Sequence, residues 1–170
     1  IARDRPIPLS FAQQRLWFLQ QLDPDSAAYH IPGAICLHGR LNLSALERSF
    51  QEIVRRHEAL RTNFTIQEEQ LLQIIHSELT WNLTVVDLQH LPDPEQESEA
   101  QRLATTQVGA PFNLVEDRLL RVMLLVLSPT DSVLLFCMHH IVSDGWSMGV
   151  FVREFAALYN AFCAGRPSPL

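Results

Sequence analysis

Two nearly continuous apolar runs, at residues 119–127 and 133–138, dominate the second half of this 170-residue chain. Strands that are covered on both faces have this composition, because neither face of such a strand meets water. The segment between the runs, residues 128–132, is SPTDS and has the residue types of a tight turn. The sequence therefore predicts a buried antiparallel pair of strands at the centre of a sheet.

Helical signals surround this predicted pair. Ser10 is placed to cap a helix that runs to about residue 22, and Ser44 with Glu47 has the spacing of a capping box at the start of a second helix. A third helix is predicted from Asp93 to about residue 108, and a fourth, with an apolar stripe along one side, ends near Gly165. Four further strands are predicted at residues 31–40, 61–66, 71–76 and 83–86. Because strands and helices are mixed without strict alternation, the pattern favours an α/β fold, a two-layer sandwich of a mixed, largely antiparallel sheet with helices.

Composition excludes several classes of function. The chain is 47% hydrophobic with a net charge of −6, which is typical of one globular domain and argues against a nucleic-acid partner. No apolar run is long enough for a membrane span, so we expect no membrane partner. Three well-separated cysteines, Cys36, Cys137 and Cys163, each in an apolar stretch, indicate buried free thiols in a reducing, cytoplasmic setting. Since the chain does not begin with Met, we expect a piece of a longer protein.

The side chains best suited to catalysis or binding are concentrated at residues 138–147, in the segment MHHIVSDGWS. If the strand is still extended there, His139 and His140 point to opposite faces, so the two rings can have different roles. Ser143 or Asp144 is placed to cap the helix that follows. A metal site is disfavoured, because adjacent residues of a strand rarely bind one ion and no other histidine cluster supports it. The pattern alone does not choose between hydrogen-bonded structural histidines and a catalytic histidine.

Three segments of the chain resemble, in order, the sequence motifs of one family, the condensation domains of non-ribosomal peptide synthetases. SFAQQRLWFL at residues 10–19 resembles the family's SxAQxRLWxL, and RHEALRTNF at 56–64 resembles RHExLRTxF. HHIVSDG at 139–145 resembles HHxxxDG. PFNL at 111–114 is similar to PFDL, with Asn113 in place of the usual Asp. The resemblance extends over essentially the whole chain.

The resemblance implies a fold and an activity. The family's domain has two lobes, each similar to chloramphenicol acetyltransferase, and residues 1–170 correspond to the N-terminal lobe, with 166–170 beginning the linker to a C-terminal lobe. The complete domain forms a peptide bond between a donor acyl or peptidyl thioester and an acceptor aminoacyl thioester. The implied partners are the donor and acceptor peptidyl carrier proteins, whose phosphopantetheine arms hold the substrates, together with the C-terminal lobe and a neighbouring adenylation domain. No metal and no tightly bound cofactor is implied, and we expect the lobe alone to be inactive.

The resemblance also implies roles for individual residues. His140 is the catalytic histidine, either as general base or as the group that positions the amine, and His139 is structural and faces away from the channel. Asp144 forms an ion pair with an arginine of the second motif, for which we choose Arg61 over Arg56. Gly145 keeps the channel open to the pantetheine arm. The channel is further bordered by Trp146 and Ser147.

Three other functions remain open at this stage. An epimerization domain shares HHxxxDG, although the opening motif favours condensation. A single-lobe acyltransferase that uses coenzyme A is conceivable as an oligomer, since chloramphenicol acetyltransferases are trimers with sites between subunits. A carrier-docking or structural module would retain the motifs without turnover.

Overall fold

The computed structural model describes residues 7–77 and 81–170. In these residues strands and helices are mixed along the chain. The α/β class is confirmed. In chain order the elements are β1 (Ile7–Pro8), α1 (Phe11–Leu22), β2 (His30–His38), α2 (Leu43–Arg56), a 3₁₀ turn (Glu58–Arg61), β3 (Thr62–Gln67), β4 (Gln70–Ile75), β5 (Thr84–Asp87), α3 (Asp93–Gly109), β6 (Leu120–Val126), β7 (Asp131–His139) and α4 (Gly145–Cys163).

The described strands form two sheets rather than one. The larger has the order β2-β7-β6-β5, with β5 parallel to β6 and the other neighbours antiparallel. The predicted central pair is confirmed as β6 and β7, in which Leu120 lies opposite Met138. The smaller sheet, β1-β4-β3, is antiparallel. Phe64 and Leu72 are buried on opposite faces of this sheet, since Phe64 lies opposite Gln73 and Leu72 opposite Thr65.

Helices cover both faces of the larger sheet, which adds a layer to the predicted two-layer sandwich. Along β7, Leu134, Phe136 and Met138 pack in one cluster with the apolar residues of α2 and α4. Leu135 points the other way and packs in a second cluster against α3. Because successive side chains of a strand alternate between faces, a nearly continuous apolar run requires cover on both.

Local sequence explains where the first two helices begin. Ser10 caps α1 in a capping box, accepting from the Gln13 backbone while the Gln13 side chain accepts from Ser10 N–H. The capping box predicted at Ser44 is wrong, because Asn42 is the cap residue of α2 and its side chain accepts from the Ala45 N–H at 3.0 Å. Glu47 instead accepts from the backbone N–H of Leu83, which connects α2 to the segment before β5.

Helix α4 carries the predicted apolar stripe and ends where the sequence predicts. The buried residues of this stripe are Phe151, Phe155, Leu158 and Phe162. Gly165 has a φ of +66°, and the N–H of the following residue, Arg166, reaches back to the carbonyl of Ala161. This left-handed turn closes the helix and is favourable for glycine, which has no Cβ. Residues 166–170 form neither helix nor strand.

The prediction of three buried thiols is correct for one cysteine. Cys137 is buried in β7, whereas Cys36 and Cys163 are exposed.

Candidate functional site

The two histidines lie at the end of β7, and their surroundings are opposite. His139 is the last residue of the strand and is fully buried, whereas His140 follows in a turn and is exposed. The turn ends at Asp144, the cap residue of α4. The alternation expected for an extended strand does not apply, because His140 lies in the turn beyond the strand, but the two rings differ in burial and only His140 is accessible to a ligand.

His139 is held as a neutral ring. Its Nδ1 accepts from the backbone N–H of Ile141 at 3.1 Å, and its Nε2 lies 3.3 Å from Oε1 of Gln20 in α1. Burial lowers the pKa of His139 to about 4, and the neighbouring His30 and His140 lower it further. An uncharged imidazole with one accepting and one donating nitrogen satisfies both contacts at neutral pH.

His140 is anchored through its backbone. Its N–H donates to the carbonyl oxygen of Tyr29 at 2.8 Å, in the residue before β2. The exposed imidazole is thus attached to a fixed section of main chain. Such a ring can accept a proton from a substrate, donate one to it, or form a hydrogen bond with it.

Asp144 caps α4 and does not pair with Arg61. Its carboxylate accepts from the backbone N–H of Ser147 at 2.8 Å and from the Ser147 hydroxyl at 2.7 Å. These hydrogen bonds hold the pKa of the Asp144 carboxyl below its usual range. Among the described residues, Arg61 pairs with Glu58 at 3.5 Å and donates to the carbonyl of His76. The ion pair implied by the resemblance is therefore not formed, because Asp144 faces its own helix and Arg61 faces the end of β4.

The residues that follow Asp144 leave open space around the start of α4. A Cβ at Gly145 would meet nothing within 4 Å, so any need for glycine there arises from a group outside this chain. Trp146 is 82% exposed and is not a core residue. Trp146 and Ser147 border a cavity of about 270 Å³ between α4 and the end of α2, which is also lined by Leu60. His140 is not one of the described residues that line this cavity.

Two residues that contribute to the site, Gln20 and Tyr29, were not predicted from the sequence. Gln20 is 3% exposed, and Tyr29 offers only its carbonyl oxygen. A signal exists for Gln20, because it lies three residues after buried Trp17 on the inner face of α1, where a polar side chain requires a partner. No side-chain signal exists for a backbone acceptor such as that of Tyr29.

The described residues contain no group of three or more His, Cys, Asp or Glu side chains placed to hold a metal ion. In the same part of the chain, no helix has both the length and the apolar content to cross a membrane.

Comparison with known proteins gives consistent matches along the chain. The family model of the condensation domain matches residues 4–170. Chondramide synthase cmdD of Chondromyces crocatus is 50% identical over 164 residues, which are 96% of this chain and 4% of that protein. The chain therefore spans only a small fraction of the length of this curated relative.

Two solved structures extend the likeness to three dimensions. The starter condensation domain of rhizomide synthetase RzmA is 28% identical with a TM-score of 0.90, and the match covers 98% of this chain and 40% of that one. The X-domain, solved in complex with OxyB from teicoplanin biosynthesis, is 31% identical with a TM-score of 0.88 over 100% of this chain and 36% of that one.

Proposed function

The chain belongs to the condensation-domain family, and on that premise we propose that it is the N-terminal lobe of a peptide-bond-forming domain of a non-ribosomal peptide synthetase. The domain would join a donor acyl or peptidyl thioester to an acceptor aminoacyl thioester. The observation that carries the proposal is the arrangement of the HHxxxDG segment, in which buried, neutral His139 supports exposed His140.

The shares of each chain that match support the assignment to one lobe. This chain aligns over 98% of its length with the rhizomide starter domain but covers only 40% of that structure. The remaining part of such a domain would form the second lobe, and residues 166–170 would begin the linker to it. A substrate channel between two lobes would have His140 on one of its walls.

The proposed reaction is acyl transfer from sulfur to nitrogen. The acceptor amine attacks the donor thioester carbonyl, a C–N bond forms, and the C–S bond breaks as the chain passes to the acceptor. The amine loses a proton, and the departing thiolate of the donor pantetheine arm gains one. An α-amine has a pKa of about 8, so much of it is neutral near pH 7–8, and orientation by His140 supplies a large share of the rate even without full proton abstraction.

His140 is the proposed catalytic residue, and its neighbours support it. His139 orients the turn, Asp144 fixes the start of α4 through Ser147, and Gly145 leaves room for a pantetheine arm. Arg61 supports the second motif through Glu58 and His76, in a role separate from Asp144. Trp146 would border the channel from its exposed position.

The proposed setting is a cytoplasmic assembly line. The partners would be a donor and an acceptor carrier protein, the second lobe, and an adenylation domain of the same synthetase. Substrates would arrive on phosphopantetheine, so the lobe would need no tightly bound cofactor.

The experiment compares transfer by the 170-residue chain and by a complete two-lobed domain that contains it, using loaded donor and acceptor carriers and mass spectrometry of the thioester products. We expect dipeptidyl product only from the complete domain, and a loss of about 100-fold or more in His140→Ala. His90→Ala is the matched control, because His90 is exposed in the connection before α3 and lies outside the motif. Equal product from His140→Ala would contradict the proposal.

The same assay separates the other functions. Loss of α-deuterium without peptide formation would indicate an epimerization domain. Product from the chain alone, with coenzyme A thioesters and a stable trimer, would indicate a single-lobe acyltransferase.

A second candidate, a protein-docking module without turnover, is favoured by one observation. The X-domain, which matches 100% of this chain, was solved in complex with another protein, OxyB. For such a module, the complete domain would bind a partner protein with unchanged affinity in His140→Ala and would give no dipeptide. The condensation proposal expects product formation that depends on His140.

A further inference from the structure

The side chain of Gln20 is fixed in one orientation by the end of its own helix. Its Nε2 lies 2.8 Å from the carbonyl oxygen of Pro24, just beyond α1. A carbonyl only accepts, so the amide nitrogen must be the atom at this contact. The amide oxygen of Gln20 therefore faces His139, which lies 119 residues away in sequence.

The orientation of Gln20 determines which nitrogen of His139 carries the proton. Oε1 of Gln20 is an acceptor, so Nε2 of His139, at 3.3 Å, must be the donor. Since burial lowers the pKa of His139 to about 4, the ring carries a single proton at neutral pH, and Nδ1 is left as an acceptor. Nδ1 is the atom to which the Ile141 N–H donates at 3.1 Å.

The two peptide units that flank His140 are consequently both held. Its own N–H donates to the Tyr29 carbonyl, and the next N–H, that of Ile141, donates to the His139 ring. With the opposite tautomer, an Nδ1–H would face the Ile141 N–H, two donors would meet, and this second contact would be lost. The main chain on the C-terminal side of His140 thus depends on the proton at Nε2 of His139.

We propose that Gln20 is a positioning residue, which holds His139 as the Nε2–H tautomer and thereby fixes the main chain at His140. The effect on catalysis rests on the proposed function, whereas the effect on the tautomer does not. Gln20 touches no substrate. It acts only through the orientation and tautomer of His139.

The first test measures the tautomer in the 170-residue chain by the imidazole ¹⁵N chemical shifts at pH 7. We expect the Nε2–H form for His139, together with slow hydrogen exchange of the Ile141 amide. In Gln20→Met, which has similar volume but no acceptor, we expect a mixture of tautomers and faster exchange of that amide.

The control is Gln21→Met, since Gln21 is the exposed neighbour on the same helix. A proton on Nδ1 of His139 in the unaltered chain would overturn the proposal without any variant. So would a folded Gln20→Met with an unchanged tautomer and unchanged exchange at Ile141.

The second test measures kcat and KM for the acceptor in a complete two-lobed domain. We expect Gln20→Met to lower kcat by about tenfold or more with KM changed less than about twofold, because a misplaced group affects orientation more than binding. A loss confined to KM, or unchanged kcat in a variant whose tautomer has changed, would overturn the positioning role. A complete domain that gives no dipeptide even without substitution would refute the proposed function and leave the tautomer result standing.

Discussion

Gly33 illustrates at the scale of one residue how the centre of the larger sheet is packed. It lies opposite Phe136 in the β2–β7 ladder, and a Cβ added to it would stand 2.0 Å from the ring of Phe136. That ring is 5% exposed and packs against Phe151 at a centroid distance of 5.5 Å, so it has little room to move. The ring occupies the space that any other residue at position 33 would need.

We therefore expect Gly33→Ala to lower the free energy of unfolding by about 1–3 kcal/mol, the range observed for overpacked cores. Urea denaturation measures it. Gly109→Ala is the matched control, because a Cβ there meets nothing within 4 Å. Partial recovery in Gly33→Ala combined with Phe136→Leu would locate the effect in this contact, and an unchanged midpoint in Gly33→Ala would contradict it.

Single residues also show where sequence reasoning stops. Separate roles for His139 and His140 were predictable, but the exposure of His140 was not, because β7 is buried on both faces and His140 lies in the turn beyond it. A capping role for Asp144 was predicted from the sequence, but its preference over an ion pair was not, because a carboxylate at a helix start can bind a distant cation or its own helix N–H groups, and only the fold decides between them. Here the local contact with Ser147 forms and the contact with Arg61 does not.

Among the elements, strand pairing was more predictable than helix starts. The two apolar runs could only be buried strands, and the turn between them fixed an antiparallel pair. At the start of α2, however, Asn42 and Ser44 are both good cap residues two positions apart, and sequence spacing favoured the wrong one. Packing selects Asn42, since the helix begins where its backbone N–H also meets the hydroxyl of Tyr159 in α4.

Paired substitutions at the two positions test this assignment. We expect Asn42→Ala to lower the free energy of unfolding by about 1 kcal/mol, because the Ala45 N–H loses its acceptor. Ser44→Ala, at an exposed position inside the helix, should change it by less than about 0.5 kcal/mol. Thermal or urea unfolding of both variants under one condition provides the comparison. The reverse order of the two effects would restore the capping box at Ser44.

For the molecule as a whole, the larger sheet connects the site to global stability. β7 is central in that sheet, has helices on both faces, and ends at His139, which contacts α1 through Gln20. The sequence could predict that both faces are covered, because that needs only the apolar runs. It could not predict which helix covers which end, because that depends on contacts such as Gln20–His139 between distant parts of the chain.

This burial predicts a pH dependence of folding. The pKa of His139 falls from an ordinary 6.5 to about 4 in the folded chain, so between these values the unfolded state binds more protons and stability decreases as pH falls. The contribution is complete above pH 6.5, and the expected loss is about 2 kcal/mol at pH 5 and about 3 kcal/mol once pH is below 4. Urea unfolding at pH 7.5, 6.5, 5.5 and 5.0 measures it while most carboxyl groups remain ionised.

The matched variant is His139→Gln, whose amide does not titrate. Between pH 7.5 and 5.0 its free energy of unfolding should fall by about 2 kcal/mol less than that of the unaltered chain. This difference is expected even if the variant is less stable at every pH. Comparison of slopes removes the contribution of the other six histidines, which are common to both proteins. Equal slopes would show that His139 is charged as readily in the folded chain as in the unfolded one. In that case the ring would carry two protons near pH 6, Nδ1 would no longer accept from Ile141, and the support of His140 by a neutral neighbour would fail.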